Sequence, residues 1–300
     1  MKDNGLLVQY FNANTPADQT LWAKAAKDAA TLKKLGATAV WFPPATKGAA
    51  GKDDRGYAPY DLYDLGEFNQ KGSVGTRYGT KKEYLEAIDA MKAQGINVYA
   101  DIAVRQKLGA DSVEKITAAD FNAKDIPQMI GNKKIVGALS KFTFPGRKSK
   151  YSKFKWNWNH FAGIDWQQDD FKRRVCELSG MTETEAEKKY KLSKYDYIIG
   201  SELDLYNQEV YDELMAWAKW YEDVTGVDGF RFQEAEKIPG WFIRDFAEAA
   251  SNAGEEEKEI FTVGDFWHWR CDYINDYIAS ADNQPSMFDV PLHFSFHDAS

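Results

Sequence analysis

The sequence is short of several features that would place it quickly. It has only two cysteines, Cys176 and Cys271, in 300 residues. They lie far apart, which argues against a disulfide framework and reads as two buried free thiols. No window approaches the roughly 20 consecutive apolar residues of a membrane-spanning helix, so a membrane partner is not expected. Basic charge is in deficit, with 38 Lys and Arg against 46 Asp and Glu for a formal net charge of −8. With no basic stripe, nucleic acid is not expected either. The opening MKDNGLLVQYF lacks the pattern of a signal peptide. The expectation is a cytoplasmic protein, or a secreted mature form without its signal peptide. No G-x-G-x-x-G follows a strand pattern, so a dinucleotide-binding fold has no support.

What is present is ordinary globular composition, 44% hydrophobic and 28% charged, with many aromatics: ten Trp and sixteen Tyr. Such a number reads either as a large core or as a surface that stacks on sugar rings. Short apolar runs alternate with helical stripes. Residues 6–11 read as a strand, and 18–35 as a helix carrying Leu21, Ala25, Ala29, Leu32 and Leu35 on one face. Further strands are read at 38–42, 96–104, 227–233, 259–263 and 287–292, and further helices at 80–94, 208–225 and 241–253. Strands alternating with helices predict a parallel α/β sheet. Residues 105–207 break the rhythm with a polar, Lys-rich and aromatic-rich stretch too long for a structureless loop. The expected organisation is 1–104 as the first part of a barrel, 105–207 as an inserted small domain, and 208–300 as the barrel continued. A doubly wound open sheet is the structural alternative.

Several blocks are more specific. VWFPPATKG at 40–48, GYAPYDLYDLGEFNQKGSVGTRYGT at 56–80 and INVYADIAVRQKLGAD at 96–111 come first. FTFPGRKSKYSKFKWNWNHFAGIDW at 142–166, VDGFRF at 227–232, FTVGDFW at 261–267 and FDVPLHFSFHDAS at 288–300 continue in order. Together they resemble the bacterial α-amylases of glycoside hydrolase family 13. The resemblance implies a (β/α)₈ TIM-type barrel with a small domain inserted after strand three. It also implies retaining hydrolysis of α-1,4-glucans by a carboxylate nucleophile and a carboxylic acid at the ends of strands. The expected partner is an α-glucan or maltooligosaccharide.

The departures from the family pattern fall on its functional positions. Where the family has G-F-R-L-D-A-V-K-H, this chain has Gly229 to Lys237 reading GFRFQEAEK. Gln233 therefore stands at the nucleophile position, and a neutral amide cannot form the glycosyl ester. Arg231, which braces the nucleophile, is kept. Glu234 is expected to face away from the barrel axis, because neighbouring strand residues alternate faces, unless a bulge re-aims it. Glu234, Glu236 and Lys237 otherwise read as a solvated loop. Asp265 matches the acid/base Glu, one methylene shorter. Gln106 matches a substrate-contacting His. Tyr57 matches an aromatic that floors the cleavage subsite, or is a core Tyr, and Trp267 is a further candidate for substrate contact.

Arg105 matches a calcium-ligating Asn, and the carboxylate-rich metal run is reduced to Glu202 and Asp204, with Tyr206 at a third acidic position. The calcium site reads as degenerate around Arg105, Glu202, Asp204 and Lys237. No cofactor is expected and calcium is disfavoured, with Arg105 and Lys237 standing in for its charge. Trp156 and Trp158 lie in family blocks and read either as part of the sugar-stacking surface or as core. His160 and His268 are lone histidines, more often structural than catalytic, with His268 also a candidate for the mouth. The family's last two strands are not found before Ser300. The expectation is an incomplete barrel of about six strand–helix units, a fragment or an altered variant, whose open edges permit self-association. The function expected is an α-amylase-like barrel, catalytically impaired and glucan-binding. The alternatives are an active hydrolase using a displaced carboxylate and a scaffold with no carbohydrate role.

Overall fold

The structure, a computed structural model, describes residues 5–121, 129–167, 172–178, 199–254 and 258–300. The chain begins β1 (Leu7–Gln9), α1 (Leu21–Lys34), β2 (Ala39–Phe42), the short strands β3 (Lys47–Gly48) and β4 (Pro59–Asp61), α2 (Lys81–Ala93) and β5 (Asn97–Ile102). Six strands come next: β6 (Gln106–Lys107), β7 (Ser112–Phe121), β8 (Met129–Lys141), β9 (Phe161–Gln167), β10 (Lys172–Glu177) and β11 (Ser201–Leu203). The alternation then resumes with α3 (Gln208–Thr225), β12 (Gly229–Phe232), α4 (Gly240–Ser251), β13 (Phe261–Gly264), α5 (Cys271–Ser280), β14 (Ser286–Met287) and α6 (Val290–Ala299).

Two six-stranded sheets result. The first, ordered β1-β2-β5-β12-β13-β14, is parallel at every pairing. Its order follows the chain, as in a barrel wall, and it is an incomplete (β/α)₈ barrel. The second, ordered β6-β11-β9-β10-β7-β8, is antiparallel and lies in sequence between β5 and β12.

Local signals set the element ends. Thr80 and Glu83 close a reciprocal capping box at the start of α2. Asn207 caps α3, which ends on Gly226 in the left-handed conformation (φ 63°), where a side chain would be strained. The apolar faces of these helices pack on the parallel sheet. Trp22, Phe42, Tyr84, Trp217, Tyr221, Phe230 and Phe246 are fully buried there, and each such side chain contributes about 1.5–3 kcal/mol by leaving water. Three of the polar groups that go in with them are matched, while Trp22 Nε1 is buried without a hydrogen-bond partner. Tyr84 and Tyr221 share a hydroxyl hydrogen bond of 2.8 Å, and Trp217 Nε1 donates to the Leu62 carbonyl at 2.8 Å.

Two sequence readings need correction. The run 287–292 is not one strand: β14 ends at Met287, and Asp289 starts α6 by accepting the Leu292 N–H at 3.0 Å, with Pro291 in the first turn. A short apolar run does not separate strand from helix by periodicity, whereas a capping Asp with Pro close behind it favours a helix start. Helix α5 escaped the sequence reading, and it opens on Cys271, which is exposed, not buried; Cys176 is buried as expected. Among the described residues, no helix is long and apolar enough to cross a membrane.

Candidate active site

The C-terminal ends of β5, β12 and β13 meet at one mouth, and its floor is an ion-paired cluster. Asp101 on β5 and Arg231 on β12 are register partners in adjacent strands. The Arg231 guanidinium donates from Nη1 to both Asp101 oxygens (3.0 and 3.1 Å) and from Nη2 to Asp265 Oδ2 (2.5 Å). It also lies over the Trp41 ring, 4.7 Å from its centroid. The Tyr57 hydroxyl donates to Asp101 Oδ2 at 2.7 Å. Burial pushes the Asp101 carboxyl up to about 6, and Arg231 and the Tyr57 hydrogen bond keep it from going further. Burial alone would lower the Arg231 pKa, but the charges of Asp101 and Asp265 outweigh it and the net direction is upward.

The rim is built by the turn after β12. The strand ends at Phe232, so face alternation does not extend into that turn. Glu234 takes the left-handed conformation (φ 49°, ψ 53°) and leads into a single 3₁₀ turn, Ala235–Lys237. This overturns the expectation that Glu234 faces away: it lines the mouth, and its Oε2 lies 3.1 Å from Arg105 Nη1. Its backbone N–H donates to Asp265 Oδ1 at 2.6 Å, and the Ala235 N–H donates to the Asp265 carbonyl at 2.9 Å. Both carboxylate oxygens of Asp265 thus accept a hydrogen bond. Burial raises its pKa, opposed by Arg231 and by the Glu234 N–H.

Glu236 is not in a solvated loop. It is partly buried, its Oε2 is buried without a hydrogen-bond partner, and burial pushes its carboxyl up to about 7, with Asp265 and Glu234 adding to the rise.

These groups enclose a cavity of about 570 Å³ lined by Tyr57, Arg231, Gln233, Glu234, Glu236, Asp265 and Trp267, within the range typical of small-molecule sites. Of the residues singled out from sequence, the structure brings together Tyr57, Arg231, Gln233, Asp265 and Trp267, the last 60% exposed at the edge. Gln106 is elsewhere: it is buried on β6, and its Nε2 donates to the Tyr57 carbonyl at 3.0 Å, so it positions Tyr57 from behind. Trp156 is core, while Trp158 is 40% exposed. His160 is buried with Nε2 3.0 Å from Glu209, and His268 stacks on Tyr273 at 4.1 Å. Two residues were missed. Asp101 was visible as a lone acid inside the apolar run VYADIAV, whereas nothing in GFRFQEAEK marked Glu236 as buried.

The residues at the implied calcium site have the wrong chemistry for that ion. The Arg105 guanidinium is 3% exposed and lies between Glu234 (3.1 Å) and Glu202 (Nε to Oε1, 3.9 Å). Lys237 is also buried. Asp204 sits just beyond β11, where its Oδ1 accepts the Tyr206 N–H at 3.1 Å. A guanidinium offers donors and no acceptor, so these residues do not fit a divalent cation that requires six or more oxygens. Among the described residues, no three His, Cys, Asp or Glu side chains are grouped as metal ligands.

No protein-family model matches the chain. It is 43% identical over 299 residues to the alpha-amylase of Geobacillus stearothermophilus, covering 99% of this chain and 54% of that one. It is 39% identical over 299 residues to the glucan 1,4-alpha-maltohexaosidase of Bacillus sp. (strain 707), covering 99% and 57%. To the cytoplasmic alpha-amylase of Escherichia coli it is 36% identical over 301 residues, covering 99% and 60%. The chain therefore spans a little over half the length of these relatives. In fold it is similar to the alpha-amylase of Geobacillus thermoleovorans solved with acarbose (TM-score 0.56, 17% identity, 95% of this chain and 51% of that one). It is also similar to an alpha-amylase from Malbranchea cinnamomea (TM-score 0.54, 14% identity, 95% and 51%). Along nearly its whole length the chain is thus similar in sequence to α-amylases, and its barrel wall has the fold of the α-amylases of known structure.

Proposed function

We propose that the mouth binds an α-1,4-glucan or maltooligosaccharide and that retaining hydrolysis in it is crippled. The observation that carries this reading is the placement of Gln233. It lines the cavity together with Asp265, above the Arg231–Asp101 clamp, where the family resemblance calls for an attacking carboxylate. An amide at that point cannot supply the ester-forming nucleophile, and losing one member of such a unit costs several orders of magnitude in rate. Asp265 is a second handicap, because its shorter side chain is held at both oxygens by Arg231 and the Glu234 N–H. Tyr57 and Trp267 supply aromatic faces for a sugar. Arg105 takes over the charge-neutralising part that a calcium ion would play, so the site works without that metal.

The test is reducing-end release from maltoheptaose by the parent and by Gln233→Asp, with maltoheptaose binding measured by calorimetry in parallel. The expected result is binding without release by the parent, and release by the Asp variant. Clear release by the parent would overturn the crippled-site reading and move attention to Glu234, the other carboxylate that the turn aims into the mouth. Absence of binding at millimolar sugar would overturn the glucan reading.

A further inference from the structure

The cavity contains one titratable group that the proposed function leaves unused. Of the acids in and beneath it, Asp101 accepts from Arg231 and Tyr57, Asp265 accepts from Arg231 and a backbone N–H, and Glu234 lies against Arg105. Glu236 stands apart. It lines the same cavity, yet its Oε2 is buried without a hydrogen-bond partner. A buried carboxylate with an oxygen that no donor reaches is costly as an anion, and burial favours the neutral acid. Burial raises its pKa most, and a hydrogen bond from its own backbone N–H opposes that rise without cancelling it. Asp265 at the end of β13 and Glu234 on the same turn are acidic, the Tyr277 phenol of α5 lies within its electrostatic reach, and Lys237 is the opposing cation.

We propose that Glu236 is the proton-bearing carboxyl group of this cavity, a hydrogen-bond donor to a neutral oxygen ligand such as a sugar hydroxyl or acetal oxygen. The proposal rests on the glucan reading for the identity of that ligand. Around neutral pH Glu236 still carries its proton in part of the population and has one to give, whereas Asp265 is held as an acceptor on both sides. Its carboxyl lies up at about 7, which sets the pH window. Below that point Glu236 donates. Above it, Glu236 becomes a further anion beside Asp265 and Glu234, and the donor is lost.

The experiment uses the intact chain and Glu236→Gln. Carboxyl titration is followed by NMR of protein labelled at the glutamate side-chain carboxyl, and maltoheptaose binding is followed by calorimetry from pH 5.5 to 9. The parent is expected to show one carboxyl titrating near neutrality, absent in Glu236→Gln and shifted by the sugar. Its affinity should fall by about tenfold for each pH unit above that midpoint. Glu236→Gln, whose amide donates at every pH, should bind with a flat profile. The proposal is overturned if no carboxyl titrates near neutrality, or if the parent binds well with the same pH profile as the variant. If neither protein binds sugar at any pH, the glucan reading falls and the proposed ligand falls with it, even where the titrating carboxyl is found. A flat profile with sound binding removes Glu236 alone.

Discussion

Asp101 and Glu236 belong to one mouth, and burial raises both carboxyls, one to about 6 and the other to about 7. The floor resolves that cost with partners: two guanidinium contacts and a phenol hold Asp101 as a charge. The rim leaves Glu236 Oε2 without any and is left with a neutral acid. Burial thus raises both carboxyls, and the donors in reach of Asp101 oppose the rise there. The difference also tracks the sequence likeness: the floor uses residues of the kept GFRF block, while the rim is the substituted QEAEK turn.

Removing the partner from the floor should give the largest effect. Arg231→Ala leaves Asp101 buried without its cation, and denaturant unfolding at pH 8 is expected to show a loss of about 3–5 kcal/mol. The loss should shrink at pH 5, where Asp101 can take up a proton. An equal loss at both pH values would break the contrast between the two regions.

The rim should respond in the opposite direction. For an acid whose folded pKa is raised, stability is fully present below the unfolded pKa, here 4.5, and is lost as pH rises through the folded value of about 7. Glu236→Gln removes that loss, so the variant should exceed the parent by about 3 kcal/mol at pH 8 and match it at pH 4. A destabilised variant at pH 8 would show that Glu236 is held as an anion after all.

Smaller effects sharpen the picture. Arg105→Gln removes the cation between Glu234 and Glu202 and should cost about 1.5 kcal/mol in a melt at neutral pH, less than the floor pair because both acids are partly exposed. In the parent, millimolar calcium or a chelator should leave the melting temperature unchanged. A rise of several degrees with calcium would sink the idea that Arg105 has taken the metal's part. Tyr57→Phe deletes one hydrogen bond to Asp101, which retains Arg231, and should cost about 1 kcal/mol.

The wall of the barrel was largely legible in the sequence. Helix α3 runs Gln208–Thr225 where the stripe of Val210, Leu214, Trp217 and Tyr221 puts it, because caps at Asn207 and Gly226 close both ends by local chemistry. The misreading at 287–292 came from a segment too short to show a period. In the site, Arg231, Gln233 and Asp265 were legible because they sit in blocks with a strong family resemblance. Gln106 was read as a contact and turned out to be a support behind Tyr57.

The sequence by itself determined the alternation of strands and helices, the family likeness and the amide at Gln233, since these depend on residue type and spacing along the chain. Only the tertiary structure decided that Glu234 turns into the mouth, that Arg105 lies between Glu234 and Glu202, and that Glu236 Oε2 is buried without a hydrogen-bond partner. The physical reason is that protonation and aim depend on which groups approach through space. Asp265 comes from the next strand and Arg105 from across the mouth, and one left-handed residue redirects the turn that meets them.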